Sequence, residues 1–262
     1  MRILFLGDIF GRPGRKTVAH ILPEIIAAEK PDIVLGNVEN LAGGKGVNKK
    51  TLSEIMNAGV EVFTGGNHSF ENIEGNEVYL DPAFPILRPA NFPRGTVGKG
   101  WGIFPTKNGK RLLVISLLGR TFMPQHVDSP FQVLDEVFES VKPSEYDASF
   151  IDIHAEATSE KQAILWYMNG KVSAVIGTHT HVPTADADIT PAGTAFQADA
   201  GMNGSLDSCI GLRYQSVIHK LRTQMPLKYE VEDQGRMQFN AVIIDVEDHK
   251  ATSIRHLRRI LD

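Results

Sequence analysis

The stretch ILFLGDIFGRPGR, residues 3–15, decides the fold class and contains the first candidate site residue. Four apolar residues, 3–6, end at a glycine and an aspartate, which is typical of a strand buried on both faces. A glycine-rich turn follows, and apolar residues then recur at helical spacing over 15–29. Asp8 therefore lies where a buried strand ends, the edge at which α/β proteins collect ligand-binding groups. Capping of the following turn is the alternative role for Asp8.

The rest of the chain continues this alternation of short β-branched runs and helix-like segments. Further strands are predicted at residues 33–35, 60–63, 112–117, 149–153, 174–176, 239–246 and 251–257. Helices are predicted at 15–29, 49–58, 129–141 and 159–169 and near 213–223, with a kink at Pro23 and Ser129 as an N-cap. Because the last fifty residues favour adjacent strands, the pattern predicts a layered α/β fold with mixed sheets. We expect one domain over residues 1–262, with the Pro- and Gly-rich segment 82–105 as a loop at the rim of a site.

Composition narrows the class of protein. Hydrophobic residues make up 42% of the 262 residues, which is enough for a continuous core. The 31 acidic and 27 basic side chains give a net charge of −4, so no strongly basic surface for a nucleic acid is expected. The single cysteine, Cys209, excludes an intrachain disulfide and a cysteine-based zinc site. No signal peptide and no apolar run of membrane-spanning length are evident, so we expect a cytoplasmic protein that does not enter a membrane.

Glu39 and Asn40 follow the second predicted strand and precede a glycine-rich run, GGKG, at residues 43–46. Neither side chain contributes to an apolar strand, although either can stabilise a turn. A carboxylate can bridge two cations, and an amide oxygen can complete a metal's ligand shell without adding charge. The glycine-rich run lacks the spacing of a P-loop, so we predict a flexible loop, with Lys45 as a candidate contact for a substrate phosphate.

Histidines follow three other predicted strands: Asn67-His68 in a Gly-Gly-Asn-His turn, His154, and His179 and His181 in His-Thr-His. A lone histidine is more often a structural hydrogen-bonding residue than a catalyst, and that alternative stays open for His68 and His154. Beside an amide ligand, His68 is suited to be a general acid, because imidazole titrates near neutral pH. At i and i+2, His179 and His181 are predicted to project to the same side of an extended segment.

The combination of these clusters is more informative than any one of them. Oxygen and imidazole donors at five strand ends are enough for two metal ions; the candidate ligands are Asp8, Glu39, Asn40, Asn67, His154, His179 and His181. Such donors without thiolates suit iron, manganese, zinc or cobalt. Two such ions bind phosphate oxygens, generate a hydroxide nucleophile at neutral pH and stabilise the transition state of phosphoester hydrolysis. The sequence therefore predicts a metal-dependent phosphoester hydrolase.

The order of these motifs resembles that of the calcineurin-like metallophosphoesterases, and most closely their YmdB-like branch, the bacterial 2′,3′-cyclic-nucleotide phosphodiesterases. The resemblance rests on blocks at residues 7–15, 37–46, 65–68, 88–91, 154–161, 177–186 and 199–202. Two features separate the branch from the broad superfamily. The histidine expected two residues after Asp8 is Phe10 here, and the usual Gly-Asp bridging motif is replaced by Val38-Glu39-Asn40.

The resemblance implies a four-layer αββα sandwich with a centre of two divalent or trivalent ions, iron first, with manganese or zinc as alternatives. By position, one ion would be bound by Asp8, Glu39, Asn40 and His181. The other would be bound by Glu39, Asn67, His154 and His179, with Glu39 bridging the two. His68 would donate a proton to the leaving ribose oxygen.

Three functional hypotheses remain open at this point. The first is a phosphodiesterase for small cyclic nucleotides of the 2′,3′-cAMP type. The second is a broader phosphomonoesterase or nucleotidase, because the same ions serve either reaction. The third is a regulatory protein that senses a nucleotide with little turnover. A homo-oligomer and a regulatory protein partner are compatible with all three.

Overall fold

The computed structural model describes residues 1–262 and contains fourteen strands and five α-helices. The strands are β1 Arg2–Leu6, β2 Asp8–Ile9, β3 Ile33–Asn37, β4 Val62–Thr64, β5 Ile86–Leu87, β6 Trp101–Pro105, β7 Arg111–Leu118, β8 Ala148–His154, β9 Ala174–Thr178, β10 Asp188–Ile189, β11 Ala195–Gln197, β12 Met202–Ser205, β13 Met237–Glu247 and β14 Lys250–Leu261. The helices are α1 Gly11–Glu29, α2 Lys49–Ala58, α3 Pro130–Ser140, α4 Thr158–Met168 and α5 Tyr214–Thr223. None of these helices is long and apolar enough to cross a membrane.

The strands form two mixed sheets, as predicted. The first has the order β2-β12-β13-β1-β3-β4-β5, and β14 also pairs with β13. In it β1, β3, β4 and β5 run parallel, whereas β13 is antiparallel to β1. The second sheet has the order β10-β11-β9-β8-β7-β6, with a parallel centre and antiparallel strands at both edges.

Alternation of side chains along β1 shows how the layers are built. Ile3 and Phe5 lie in an apolar cluster between the two sheets, where the Phe5 ring meets that of Phe150 on β8 at a centroid distance of 4.9 Å. Leu4 and Leu6 point the other way and pack with residues of α1 and α2. A third cluster covers the outer face of the second sheet with residues of α3 and α4. The order helix, sheet, sheet, helix confirms the predicted four-layer αββα sandwich.

Three local predictions need correction. The segment 82–105 is not simply a loop, because it contains β5 and β6; Leu87 fills the layer between the sheets, and β6 pairs with β7. Ser129 does stand before α3, but its side chain makes no capping hydrogen bond, so Pro130 at the first helical position marks the start. Helix α1 begins at Gly11, four residues before the predicted start, and continues through Pro23 to Glu29, and the kink at Pro23 stays a prediction. The single domain stays a prediction.

The topology brings the candidate residues of both sheets to one edge. The parallel strands β1, β3 and β4 end just before Asp8, Glu39 and Asn67. Strand β8 ends at His154 and its parallel neighbour β9 ends just before His179. Because parallel strands end at the same side of a sheet, these side chains meet where the two sheets face each other.

Candidate metal centre

One group of side chains surrounds a single nitrogen of His154. The Nε2 atom of His154 lies 3.1 Å from Glu39 Oε2, 3.0 Å from Asn67 Oδ1 and 3.1 Å from His179 Nδ1. Ligand atoms of Glu39, His154 and His179 all lie within 4.8 Å of one another. His154 and Glu39 are buried, whereas the side chain of His179 is 21% exposed, so the group lies between the core and solvent.

The orientation of the His154 ring follows from the partner of its other nitrogen. The Nδ1 atom lies 2.9 Å from the hydroxyl oxygen of Thr178, and that hydroxyl donates to Asp152 Oδ1 at 2.7 Å. Since the hydroxyl proton is given to the carboxylate, His154 Nδ1 must donate its N–H to Thr178. In the neutral ring, Nε2 then carries a lone pair that faces the oxygens of Glu39 and Asn67 and has no proton to share with them.

A second place where two acceptors face each other lies at Asn40 and His181. Asn40 Nδ2 donates to the carbonyl of Gly44 at 3.0 Å, which directs Asn40 Oδ1 toward His181 Nε2 at 3.2 Å. His181 Nδ1 lies 3.0 Å from the carbonyl of Ile210, which can only accept, so Nδ1 carries the proton. The neutral ring therefore presents a lone pair to an amide oxygen. Two lone pairs this close to each other fit one cation that both atoms bind.

Asp8 completes the group on the side of the first sheet. Its Oδ2 accepts the backbone N–H of His179 at 3.1 Å, and its Oδ1 is buried without a hydrogen-bonding partner. That contact belongs to the second sheet and is not a cap of the turn after Asp8. A buried carboxylate oxygen without a donor is costly unless a cation satisfies it. The residues present therefore fit a metal centre, on the chemistry of the donors and on this orphaned oxygen.

Electrostatics in the centre follow from burial and from the crowding of like and unlike charges. Burial lowers the pKa of His154, but the carboxylates of Glu39, Asp8 and Asp152 outweigh it and raise that pKa to about 9. Burial raises the pKa of Glu39, and the nearby His154 more than reverses this, so the pKa ends below its usual range. Burial together with the positive charge of His154 lowers the pKa of His179 to about 3. In the metal-free chain the raised pKa of His154 places a proton on its Nε2 at neutral pH, in the position between Glu39 and Asn67 that a metal ion would take.

The Gly-Gly-Asn-His turn after β4 has to pass very close to this centre. A Cβ atom on Gly66 would collide with Glu39 Oε2 and lie 2.6 Å from His154 Nε2. Glycine is therefore required at residue 66 for Asn67 to reach the centre. The backbone N–H of His68 donates to Glu39 Oε2 at 3.0 Å, which ties the turn to the carboxylate predicted to bridge the two ions.

The side chain of His68 lies at the rim, with 23% of its surface exposed. Its Nδ1 is 2.5 Å from Glu71 Oε1, and Glu71 Oε2 in turn pairs with Lys45 at 2.7 Å. Lys45 therefore contacts Glu71, and the glycine-rich run that contains it folds against the His68 turn. His68 contacts Glu71 through Nδ1, and its Nε2 makes no hydrogen bond within the chain.

Comparison with known proteins identifies the family. A model described as "YmdB-like protein" matches residues 4–257. The chain belongs to the YmdB-like family. A protein of Bacillus subtilis (strain 168) named 2′,3′-cyclic-nucleotide 2′-phosphodiesterase is 42% identical over 262 residues, covering 100% of this chain and 97% of that protein.

Solved structures agree with this membership. The crystal structure of a hypothetical protein from Thermus thermophilus matches with a TM-score of 0.93 and 37% identity over 99% of both chains. A novel phosphatase of Mycoplasma pneumoniae matches with a TM-score of 0.92 and 30% identity over 99% of this chain and 93% of that one. These findings confirm the predicted family, the predicted fold and the predicted class of enzyme, a phosphoester hydrolase.

The His-Thr-His segment of this YmdB-like chain differs from the prediction. It is not extended, because His179 has φ 100° and His181 has φ 67°. The two rings therefore do not project side by side, as they would in a strand. His179 reaches His154, and His181 reaches Asn40, so each ring joins a different group of donors.

Sequence reasoning missed the polar residues that lie beneath the ligands. Asp152 is fully buried and accepts hydrogen bonds from Asn37, Thr64 and Thr178. Burial raises its pKa to about 6, although these donors and His154 oppose the rise. The sequence does contain a signal for Asp152, because it lies inside the apolar run FIDIH, residues 150–154. An aspartate buried in such a strand needs hydrogen-bond donors from its neighbours.

Proposed function

We propose that this chain is a dinuclear-metal phosphodiesterase that hydrolyses small phosphodiesters, above all nucleoside 2′,3′-cyclic phosphates. The observation that carries the proposal is the pair of places where oxygen and imidazole ligand atoms converge, at His154 Nε2 and at Asn40 and His181. The relative from Bacillus subtilis, named for this activity, supports the choice of substrate.

The proposed ligand sets follow the two groups of donors. Glu39, Asn67, His154 and His179 would hold one ion, and Asp8, Asn40 and His181 the other, with Glu39 shared. Iron is the proposed metal, and manganese or zinc suits the same oxygen and imidazole donors. When bound, such a pair polarises the phosphate and lowers the pKa of water to near neutrality.

His68 is the proposed general acid. Water would add to phosphorus and lose one proton to solvent, and the bond from phosphorus to one ribose oxygen would break. His68, with a proton on each nitrogen, would give its Nε2 proton to that oxygen and recover one from solvent after the product leaves. Glu71 accepts the Nδ1–H of His68 and so fixes the direction in which Nε2 points. Lys45 holds the other oxygen of Glu71 and limits its rotation.

A phosphomonoesterase is the second candidate. It is favoured by the phosphatase from Mycoplasma pneumoniae and by a Mycoplasma genitalium protein, provisionally named a phosphatase/phosphodiesterase, which is 33% identical over 270 residues. No contact in the site separates a diester from a monoester. A cytoplasmic location, a homo-oligomer and a regulatory partner stay predictions.

The proposal is tested by turnover of 2′,3′-cyclic AMP against 2′-AMP and 3′-AMP, each with the iron-, manganese- or zinc-loaded chain. We expect the cyclic diester to be opened to a monophosphate that accumulates. Faster release of inorganic phosphate from the monoesters would favour the second candidate. Absence of turnover with all three metals would refute both and favour a sensor.

A further inference from the structure

The turn that carries His179 and His181 adopts a backbone that has to be held in place. Both histidines have positive φ, a region that bulky residues rarely occupy unless the surrounding structure enforces it. The turn spans only three residues, and its two rings reach different groups of donors. A small relaxation of this backbone would therefore move ligands at both places at once.

Asp199 is the residue that holds this turn. Its Oδ2 accepts the backbone N–H of Thr180 at 3.0 Å and the Thr180 hydroxyl at 2.8 Å. Thr180 lies between the two histidines, so both of these hydrogen bonds fix the centre of the strained segment. The carboxylate is 1% exposed and touches neither group of donors in the centre through a hydrogen bond.

Lys161 supplies the charge that allows a carboxylate to be buried there. It extends from α4 and is 1% exposed, and its Nζ donates to Asp199 Oδ2 at 3.0 Å. Its aliphatic stem passes directly beside Gly177, where a Cβ atom would lie 2.8 Å from the Lys161 Cδ. The carbonyl of Ala198 lies closer still to that position, so the last part of β9 packs against both the lysine and the segment that leads to Asp199.

The segment of Asp199 also reaches the first sheet. Asp199 Oδ1 accepts the backbone N–H of Gly201 at 2.8 Å, and the carbonyl of Gly201 accepts the N–H of Asp8 at 3.1 Å. The next residue, Met202, donates its N–H to the carbonyl of His181 at 3.1 Å. The Asp199 carboxylate is therefore connected to three candidate ligands, Asp8 beside the first sheet and His179 and His181 beside the second.

We propose that the buried Lys161–Asp199 pair positions Asp8, His179 and His181 for metal binding. The two residues are positioning residues, since they act through Thr180 and Gly201 and touch no reacting atom. The inference rests on the proposed metal centre. It also gives a role to Lys161 and Asp199, which belong to the sequence blocks 154–161 and 199–202 that the chain shares with the YmdB-like family.

The test is a titration of the chelator-treated full chain with Mn²⁺, in which the electron paramagnetic resonance signal of the free ion measures how much Mn²⁺ remains unbound. The variants are Lys161→Met, Asp199→Asn and the double variant. Thr180→Val removes only the hydrogen bond from the Thr180 hydroxyl to Asp199 and leaves the Lys161–Asp199 pair intact. This variant replaces the others in the titration if they fail to fold. We expect the dissociation constant to rise about tenfold or more in Lys161→Met and Asp199→Asn, the range seen when groups that orient metal ligands are removed. We expect a smaller rise in Thr180→Val.

Ile164→Ala is the matched control, because Ile164 lies on the same helix, is fully buried and packs in the outer apolar cluster. It should lower the melting temperature without changing Mn²⁺ affinity. The inference is overturned if folded variants bind Mn²⁺ as the wild type does, or if Ile164→Ala weakens binding equally. A wild-type chain that binds no Mn²⁺, Fe²⁺ or Zn²⁺ would refute the metal centre itself, which distinguishes the two failures.

Discussion

Replacement of Thr178 by valine isolates the contact that sets the tautomer of His154. The Thr178 hydroxyl accepts from His154 Nδ1 at 2.9 Å and donates to Asp152 Oδ1 at 2.7 Å, and all three residues are fully buried. Valine has nearly the same shape, so the change removes these two short hydrogen bonds, together with a longer one from Asn37 Nδ2 at 3.4 Å, and creates little cavity. It leaves Nδ1 without a partner and frees the ring to exchange its tautomer.

The magnitude follows from the two short bonds that are lost, to Asp152 and from His154. A bond to a charged group contributes about 1.5–3 kcal/mol and a neutral one about 0.5–1.5 kcal/mol, so the free energy of unfolding should fall by roughly 2–4.5 kcal/mol. Metal affinity should fall about 10–100-fold, because Nε2 is no longer fixed as the lone-pair nitrogen. Urea denaturation measures the first quantity, and Mn²⁺ titration of the folded protein measures the second.

Thr194→Val is the control, since Thr194 is equally buried and its hydroxyl also makes two hydrogen bonds, to the carbonyl of Val172 and from the N–H of Gly170. It should be destabilised without any loss of metal affinity. If Thr178→Val binds Mn²⁺ as the wild type does, the reasoning about the tautomer is wrong. Equal weakening in Thr194→Val would mean that general destabilisation explains the effect.

Three more predictions follow from single contacts. His68→Ala should lower kcat for 2′,3′-cyclic AMP about 10²–10⁴-fold with metal content unchanged, and undiminished turnover would remove His68 from the mechanism. Gly66→Ala should reduce the metal bound per chain, measured by atomic emission, because its Cβ collides with Glu39; full metal content would contradict the close approach. Arg2 holds the pKa of Asp245 below its usual range, so this carboxylate stabilises the fold above the unfolded pKa of about 3.9, and the contribution is lost as the pH falls through the lower folded value. Asp245→Asn should therefore cost about 0.2–1 kcal/mol at pH 7 in urea denaturation and nothing in strong acid, and a difference that persists in acid would refute the assignment.

Much of the fold could be predicted because the core strands are continuous apolar runs. Strand β1 has only apolar residues after Arg2, strand β9 has only apolar residues and a glycine before Thr178, and α1 and α2 show apolar residues at helical spacing. Strands β5 and β6 were missed because the glycines and prolines around them outweigh two short apolar runs. Their strand character comes from pairing with β4 and β7, which no local pattern contains.

The candidate ligands could be chosen from sequence because each follows a predicted strand. The geometry of the His-Thr-His turn could not, because the turn has positive φ angles and its hydrogen bonds go to Asp199, which lies 19 residues from Thr180 and is paired with Lys161. Asp152 was overlooked for a related reason, since its donors Asn37 and Thr64 come from the other sheet. Candidate metal ligands can be recognised in the sequence because they follow predicted strands. Residues that orient these ligands are harder to recognise, because their role depends on contacts between layers of the fold.

A crystal structure of the metal-loaded chain with anomalous diffraction tests the central claim most directly. We predict two anomalous peaks, one among Glu39, Asn67, His154 and His179, and one beside Asp8 between Asn40 and His181. Glu39 should contact both ions, and metal analysis should give two ions per chain. No anomalous peak at these side chains, or a single peak at full metal loading, would contradict the dinuclear centre.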